Sequence, residues 1–356
     1  MSFVRKYNFR MVLVIAVTWT VTDLIYWVKF MHVAPALGID GVFQVASTTA
    51  IILRCFIVFM MSYTMCYILI FRLRQKFRFY PLLVNLLAKT AILLIAAVVM
   101  NFLLHITYSI FILNLTFSNG LHRFFDYPMS LLWLAQHSVG WIVLFVLTQV
   151  IIEINEKYSP GVFWAILIGK YRQPRVQKRI VMFMDLQRST PIAETLGSKE
   201  NFKFIRDFIY YVSTALMEYD GRIYQYVGDE IVVSWLYSPK NVEKCLDALK
   251  LSFRLLKKNS VYFRSHYGIV PEFKAGIHVG DVTVGEIGVI KKDIAMNGDT
   301  MNTTARICSV CNEFENKYIA SKAFIDNTAI NCKTENIGVI YLKGKTNSIE
   351  LFGLRF

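Results

Sequence analysis

Four long apolar runs crowd the first 155 residues of the chain, and nothing else in the sequence constrains the fold as strongly. They cover about 11 to 30, 48 to 71, 80 to 106 and 129 to 153, each near the ~20 residues a helix needs to cross a hydrocarbon core of about 30 Å. Backbone polar groups in lipid find no water to bond, so such runs become helices. Charge is partitioned to match. Before Asn155 there are 11 Lys/Arg and 4 Asp/Glu, gathered between the runs; from Asn155 onward 28 and 21 are interleaved with apolar residues. Only 18% of the 356 residues are charged and 55% are hydrophobic, against about a quarter charged in an ordinary soluble domain. That balance excludes a disordered chain and disfavours a wholly soluble one. The sequence predicts an all-α, four-span membrane bundle over 1–154, a linker over 155–178 and an aqueous domain over 179–356.

A cleaved signal peptide fits the first run poorly, because the run is too long and no small-residue cleavage site follows. Arg5, Lys6 and Arg10 precede the first run, and Arg72, Arg74, Lys76 and Arg78 separate the second from the third. The loop 31–47 has no Lys or Arg, and Arg123 alone lies between the third and fourth runs. The positive-inside rule then puts both termini and the C-terminal domain in the cytoplasm, with the chain a multi-pass protein of the inner (plasma) membrane and membrane lipid among its partners. Topology accounts for the basic clusters, so no nucleic-acid partner is implied. Cysteine usage agrees with a reducing compartment. Cys308 and Cys311 form a C-x-x-C without the second ligand pair a zinc site needs, and read as two thiols on one helix.

Charges inside the runs need partners, water or a route to the interface. At 1.5 Å per residue, Asp23 lies about 18 Å above the inner end of the first run and Arg54 about 9 Å below the outer end of the second. These depths nearly coincide, which allows an Asp23–Arg54 pair, either a structural pin or a ligand-sensing site. Lys89 has a stem long enough to snorkel to the cytoplasmic face. His105 and His137 have side chains able to ligate haem, but two histidines on separate helices read better as hydrogen-bonded core residues. In the linker, Pro160-Gly161, an apolar patch over 162–168 and the bases Lys170, Arg172, Arg175, Lys178 and Arg179 suit either an anionic leaflet or a solvated charge run.

From Ile180 the pattern changes to short strands alternating with helices. Strands are predicted over 180–184, 222–226, 231–235, 273–278 and 282–285, and helices over 190–219 (broken at Gly197), 242–257 and 300–311. This order suggests an α+β sheet with helices packed on one face. Asp185 ends the first strand, and Asp229 stands in the hairpin turn Gly228-Asp229-Glu230. On neighbouring strands, two such carboxylates meet at one edge and suit a pair of Mg²⁺ ions, as in displacement at phosphorus. Turn chemistry alone would also put aspartate there. The fragment Asp185 to Thr190 leads into a helix N-terminus, whose free N–H groups suit phosphate oxygens. Asn302 and Arg306, four apart, share one helix face and suit a ribose oxygen and developing charge at phosphorus, though surface polar residues would look the same. Lys343-Gly344-Lys345 supplies positive charge further on.

Taken in order, Val181-Met182-Phe183-Met184-Asp185-Leu186, Ser189-Thr190, Tyr226-Val227-Gly228-Asp229-Glu230, Ala275-Gly276-Ile277-His278-Val279-Gly280, Gly285-Glu286-Ile287-Gly288, Gly298 to Arg306 and Lys343-Gly344-Lys345 make the soluble half resemble the class III nucleotidyl cyclase catalytic domain. The resemblance covers about 178 to 356. It implies a ferredoxin-like α+β cyclase fold, working as a homodimer with active sites at the interface. Asp185, Asp229 and the Leu186 backbone carbonyl of one protomer would hold two Mg²⁺ or Mn²⁺ ions per active site, with Ser189 and Thr190 at the substrate phosphates. Asn302, Arg306 and Lys345 would come from the other protomer. The implied reaction is attack of the ribose 3′-oxygen of ATP on its own α-phosphorus, giving 3′,5′-cyclic AMP and pyrophosphate, that is, a membrane-anchored adenylate cyclase.

The base-selecting positions depart from the family. A Lys and an Asp usually read adenine, and Glu with a Cys-like residue usually reads guanine. Here the positions fall on Gln225 and Ala295, which match neither pattern. Gln225 can donate and accept at a purine edge, whereas Ala295 has no such group. ATP is expected from the family's general tendency, with a guanylate cyclase or a catalytically weak nucleotide-binding receptor as alternatives. Diguanylate synthesis is disfavoured because only Gly228-Asp229-Glu230 resembles its turn motif, and a transporter because no paired discontinuous-helix pattern is seen.

Overall fold

The apolar runs fold as helices. The computed structural model describes residues 3–33, 47–73, 76–77, 80–126, 131–157, 165–166, 168–290, 293–314, 316–327, 333–341 and 348–355. Two compact units divide at Lys157/Tyr158. The first contains α1 (Phe3–Val33), α2 (Thr48–Ile68, continued by a π-helical turn over Leu69–Leu73), α3 (Leu82–Phe111), α4 (Phe117–Asp126) and α5 (Leu131–Lys157). Three stretches, Arg5–Lys29, Thr48–Leu73 and Leu82–Phe111, are long and apolar enough to cross a membrane, and Val139–Asn155 in α5 is a shorter apolar segment. Helix α4, amphipathic and charged, was hidden in what the sequence reads as a loop.

Polar side chains tie these helices together where lipid would leave them unsatisfied. Trp19 Nε1 donates to Thr148 Oγ1 at 3.0 Å, Gln149 Nε2 to Thr90 Oγ1 at 2.8 Å, and Tyr7 Oη to Asn155 Oδ1 at 2.9 Å. The Asp23–Arg54 pair forms, and it is bidentate: Arg54 Nε lies 2.8 Å from Asp23 Oδ2 and Nη2 lies 2.9 Å from Oδ1. Lys89 departs from the snorkelling route. It is buried, with Nζ 3.9 Å from Glu153 Oε1, so a carboxylate within the unit takes the place of the interface. His105 is buried with its ring beside Phe124, while the His137 side chain lies outside the described residues.

The second unit is an α+β domain built on one mixed sheet. Its elements are β1 (Arg175–Leu186), α6 (Ser189–Glu218), β2 (Arg222–Val227), β3 (Glu230–Leu236), α7 (Pro239–Lys258), α8 (Ser260–Tyr267), β4 (Phe273–Ile287), β5 (Asp293–Asn297), α9 (Asp299–Val310), β6 (Tyr318–Ser321), α10 (Lys322–Ile325), β7 (Lys333–Ile340) and β8 (Ile349–Arg355). The strand order is β2-β3-β1-β4-β6-β8-β7, with β5 on the far end of β4. Neighbours are antiparallel except β4 and β6. Gly197 interrupts α6 with φ 72°, as its position between two helical patterns predicts. Strand β4 is continuous where two short strands were expected, because Gly280 and Asp281 stay in register with Arg179 and Lys178.

Helices cover both faces of the sheet, which corrects the one-face expectation. Ile180, Met182 and Met184 pack with Phe204, Phe208, Leu246, Leu249 and Phe263 of α6, α7 and α8. On the opposite face, Val181 and Phe183 pack with Val232, Val282 and, from α9, Met301 and Cys308. A strand covered on both sides has no polar alternation to show, and Ile180 to Met184 is accordingly a continuous buried run. Ala165 and Tyr171 join the α9-side core, and β1 already begins at Arg175, so part of the stretch expected as linker belongs to this domain. Cys308 and Cys311 are buried free thiols.

Candidate active site

Register decides which polar groups meet. Strand β1 pairs with β3 up to Met184↔Ile231 and with β4 up to Asp185↔Lys274 and Leu186↔Phe273. The residues at this end of three adjacent strands are therefore Asp185, Lys274 and Glu230, with Asp229 in the turn that precedes Glu230. Gly228 takes φ 62° there, a conformation open to glycine without strain, so β2 and β3 are joined by only two residues.

The end of the sheet carries more negative than positive charge. Lys274 Nζ lies 3.3 Å from Asp185 Oδ2. Even so, the Asp185 carboxyl is held above its usual range, first by burial and then by the negative charge of Asp229, with Lys274 opposing both. Glu230 is pushed up to about 7 by burial and then by Asp185 and Asp229. Asp229 is half-buried, and its Oδ2 is covered and accepts no hydrogen bond, which leaves that acceptor unsatisfied. Among the described residues no cage of three or more His, Cys, Asp or Glu side chains is present. Mg²⁺ does not require one, since it is usually bound by one or two carboxylates together with waters and substrate phosphates. Hard carboxylate oxygens, one of them orphaned, fit Mg²⁺ or Mn²⁺.

A helix N-terminus adjoins the carboxylates. Gln187 N donates to Glu272 O at 2.8 Å and fixes the end of β1. Arg188 then turns through the left-handed region at φ 58°, and α6 starts at Ser189 with no side-chain cap. The first N–H groups of a helix have no intrahelical acceptor, so Ser189 and Thr190 stand where phosphate oxygens can be bound. Leu186 is paired in the sheet, and its N–H bonds the Asp185 carboxylate.

The other group of expected residues sits on α9. Met301, Thr304, Ile307 and Cys308 are buried against the sheet, while Asn302 is exposed and Arg306 partly so. Helix α9 lies unusually close to β4. A Cβ on Gly276 would fall 2.8 Å from both Cys308 Cα and Thr304 O, and closer still to Cys308 N. Among the described residues neither Asn302 nor Arg306 makes a hydrogen bond or ion pair to Asp185 or Asp229. Each chain thus gathers one carboxylate cluster and presents a separate amide and guanidinium outward. Lys345 lies outside the described residues. Gln225 is exposed on β2 and Ala295 is paired with Gly285 on β5. Met296 N donates to the Tyr224 hydroxyl at 3.1 Å, so a link between the two strands lies next to both positions.

Sequence reasoning overlooked Lys274 and gave Glu230 no role. Lys274 stands two residues before Gly276, and only the pairing of β1 with β4 reveals that it opposes Asp185. A sequence signal was available for Glu230, which follows Asp229 directly into the strand.

Three comparisons bear on this geometry. The adenylate and guanylate cyclase catalytic domain family matches residues 172–354. Adenylate cyclase 2 of Rhizobium meliloti (strain 1021) is 27% identical over 207 residues, 57% of this chain and 57% of that protein. Adenylate cyclase 1 of the same organism is 26% identical over 183 residues, 49% of this chain and 27% of that protein. The chain thus spans little more than half the length of the first of these relatives and about a quarter of the second. A solved bacterial light-regulated adenylyl cyclase superimposes with TM-score 0.55 at 16% identity over 65% of this chain and 67% of that one, a likeness of fold. With about half its length matched, from the strand that carries Asp185 to the last strand of the sheet, the chain belongs to the adenylate and guanylate cyclase catalytic domain family.

Proposed function

We propose that this protein is a membrane-anchored adenylate cyclase that converts ATP to 3′,5′-cyclic AMP and pyrophosphate in a homodimer. The observation that carries the proposal is the separation of the site into two incomplete halves. Asp185, Asp229 and Glu230 form a cluster of carboxyl groups with an orphaned oxygen, and Asn302 and Arg306 lie on the solvent side of α9 with no hydrogen bond or ion pair to that cluster among the described residues. A second copy supplies what the first lacks. Asp185 and Asp229, with the Leu186 carbonyl, would hold two Mg²⁺ or Mn²⁺ ions, which supply Lewis-acid activation of the attacking oxygen and charge neutralisation of the leaving group.

The chain's own residues do the rest. The N–H groups of Ser189 and Thr190 bind phosphate oxygens, and Lys274, beside Asp185, offers its ammonium to the polyphosphate once the carboxylates are neutralised. Asn302 of the second protomer orients the ribose by its amide. Arg306 stabilises charge developing on the equatorial phosphoryl oxygens, a role whose loss costs about 10² to 10³ in rate. The α-phosphorus–oxygen bond to the leaving pyrophosphate breaks as the 3′-oxygen bond forms, and the hydroxyl proton leaves to solvent. Adenine is favoured because curated relatives at 27% and 26% identity bear the name adenylate cyclase. Four spans, with both termini and the catalytic domain in the cytoplasm, follow from the distribution of Lys and Arg.

Purified full-length protein supplied with Mg²⁺ or Mn²⁺ and either ATP or GTP, with products separated chromatographically, tests the reading. Cyclic AMP should form. Asp185→Ala and Arg306→Ala should each lose most activity alone, the latter by about 10²- to 10³-fold, and should partly recover when mixed, because a mixed dimer rebuilds one intact site. Failure to recover despite demonstrated subunit exchange would count against the shared site, and cyclic GMP as the main product would replace adenylate by guanylate cyclase.

A further inference from the structure

Among the described residues, Asn114, Arg188 and Asp220 are the non-glycine residues with a positive φ. Asparagine and aspartate enter this region readily, because a short polar side chain can bond the local backbone. Arginine has no such advantage, and its Cβ crowds the carbonyl that follows. Glycine would take the φ of 58° and ψ of 34° found at Arg188 without that crowding. Backbone conformation therefore does not account for an arginine here, and neither does packing. Arg188 is exposed, its side chain does not cap α6, and among the described residues it makes no side-chain hydrogen bond or ion pair.

Position gives the side chain a use. Arg188 follows Asp185 by three residues, at most about 11 Å of chain, and directly precedes Ser189 and Thr190 at the start of α6. The charge on Asp185 answers to burial, Asp229 and Lys274, and Arg188 takes no part in it. The guanidinium is therefore not committed to the carboxylates and is left for an anion arriving beside them. Its paired N–H groups match two oxygens of one phosphate. On the reading of the chain as a nucleotide cyclase, the α-phosphorus reacts beside Asp185 and Asp229, which leaves the β- and γ-phosphates for the turn into α6. We propose that Arg188 binds these terminal phosphates, from the same protomer that supplies Asp185. It holds the pyrophosphate group before and after the bond to the α-phosphorus breaks. Binding that is equal in the ground and transition states appears in KM and not in kcat.

The test uses the full chain in nanodiscs with Mg²⁺, and inorganic pyrophosphate as the probe, since it carries the recognised group without a base. Arg188→Gly suits the left-handed turn and should melt no lower than wild type. By calorimetry it should bind pyrophosphate about 10- to 100-fold more weakly, the loss of one charge-assisted hydrogen bond. Arg188→Gln keeps the stem, removes the charge and should lose as much. In both variants KM for ATP should rise by the same factor with kcat little changed, while inhibition by AMP, which lacks these phosphates, should stay as in wild type. Pyrophosphate that fails to bind wild type, or binds either variant as tightly, overturns the proposal. A glycine variant that melts lower assigns the arginine to the fold and overturns it as well. Wild type that binds pyrophosphate but forms no cyclic nucleotide defeats the cyclase reading and leaves the phosphate contact standing; cyclic nucleotide formed with KM unchanged in both variants does the reverse.

Discussion

Replacing Gly276 by alanine tests how α9 is placed, and its cost follows from three distances. The new Cβ would sit 2.8 Å from Cys308 Cα and from Thr304 O, with Cys308 N nearer still. Comfortable carbon contacts are about 3.5 to 4.0 Å, so the helix must retreat by roughly 1 Å. All three atoms are backbone, and no rotamer change relieves them. Overpacking of this kind costs about 1 to 3 kcal/mol. At about 2 to 4 °C per kcal/mol for a domain of this size, melting should fall by roughly 2 to 12 °C. The functional effect is larger, because α9 carries Asn302 and Arg306. A displacement of ~1 Å at a positioning group costs about 10²-fold, so kcat for cyclic nucleotide formation should drop by that factor in the full-length protein. In an Arg306→Ala background the same substitution should cost much less, since the group it misplaces is already gone. Gly280→Ala is the comparison: its Cβ would meet the Thr300 hydroxyl, and rotating that hydroxyl away sacrifices its hydrogen bond to Asp281 O, worth about 1 kcal/mol. Wild-type melting in Gly276→Ala would refute the packing argument, and normal kcat with lowered melting would refute the placement of the reacting groups on α9.

Three other outcomes follow from the charges. Glu230, pushed up to about 7, and Asp185, raised in the same direction, bind protons more tightly folded than unfolded, so the stability of metal-free protein should fall as pH rises from about 4.5 to 7. A divalent cation must displace those protons. Its affinity should therefore climb between pH 6 and 8 with proton release, measurable by calorimetry in buffers of different ionisation enthalpy, and a pH-independent affinity would contradict the carboxylate cluster. Lys274→Met removes a cation from beside Asp185. It should tighten Mg²⁺ binding and raise KM for ATP by about 10- to 100-fold, the loss of one charge-assisted hydrogen bond to phosphate, and an unchanged KM would exclude Lys274 from the nucleotide site. Arg54→Met strands Asp23 and should cost about 3 to 5 kcal/mol in melting or denaturation assays, whereas Asp23→Leu/Arg54→Met together should be close to neutral; equal losses in the two would mean that the pair matters for something besides its own neutrality.

The features legible in the sequence share a physical property: they depend on residues near one another along the chain. Four apolar runs long enough to cross a bilayer stand out whatever their partners, and among the described residues three of them form helices of membrane length; the glycine-aspartate turn at 228–229 declares a hairpin. Asp23 and Arg54 could be paired from depth alone, because a spanning helix converts sequence position directly into height. Lys89 shows the limit of that conversion. Its depth allowed a route to the interface, but Glu153 on another helix lies closer, and only packing reveals it. The same limit operates in the sheet. Lys274 opposes Asp185 through a pairing across 89 positions, and α9 covers the second face because Gly276 lets its backbone approach, so the one-face expectation failed on the absence of a side chain. A sheet covered on both faces also erases the alternation that tells inside from outside, as Ile180 to Met184 demonstrates. What decides the chemistry is therefore least local: the carboxylates come together through register within one chain, and the amide and guanidinium proposed to complete the site make no hydrogen bond or ion pair with them among the described residues. In the proposed homodimer, activity would depend on how two copies meet, and an anchor that governs their meeting would govern the reaction without touching a reacting atom.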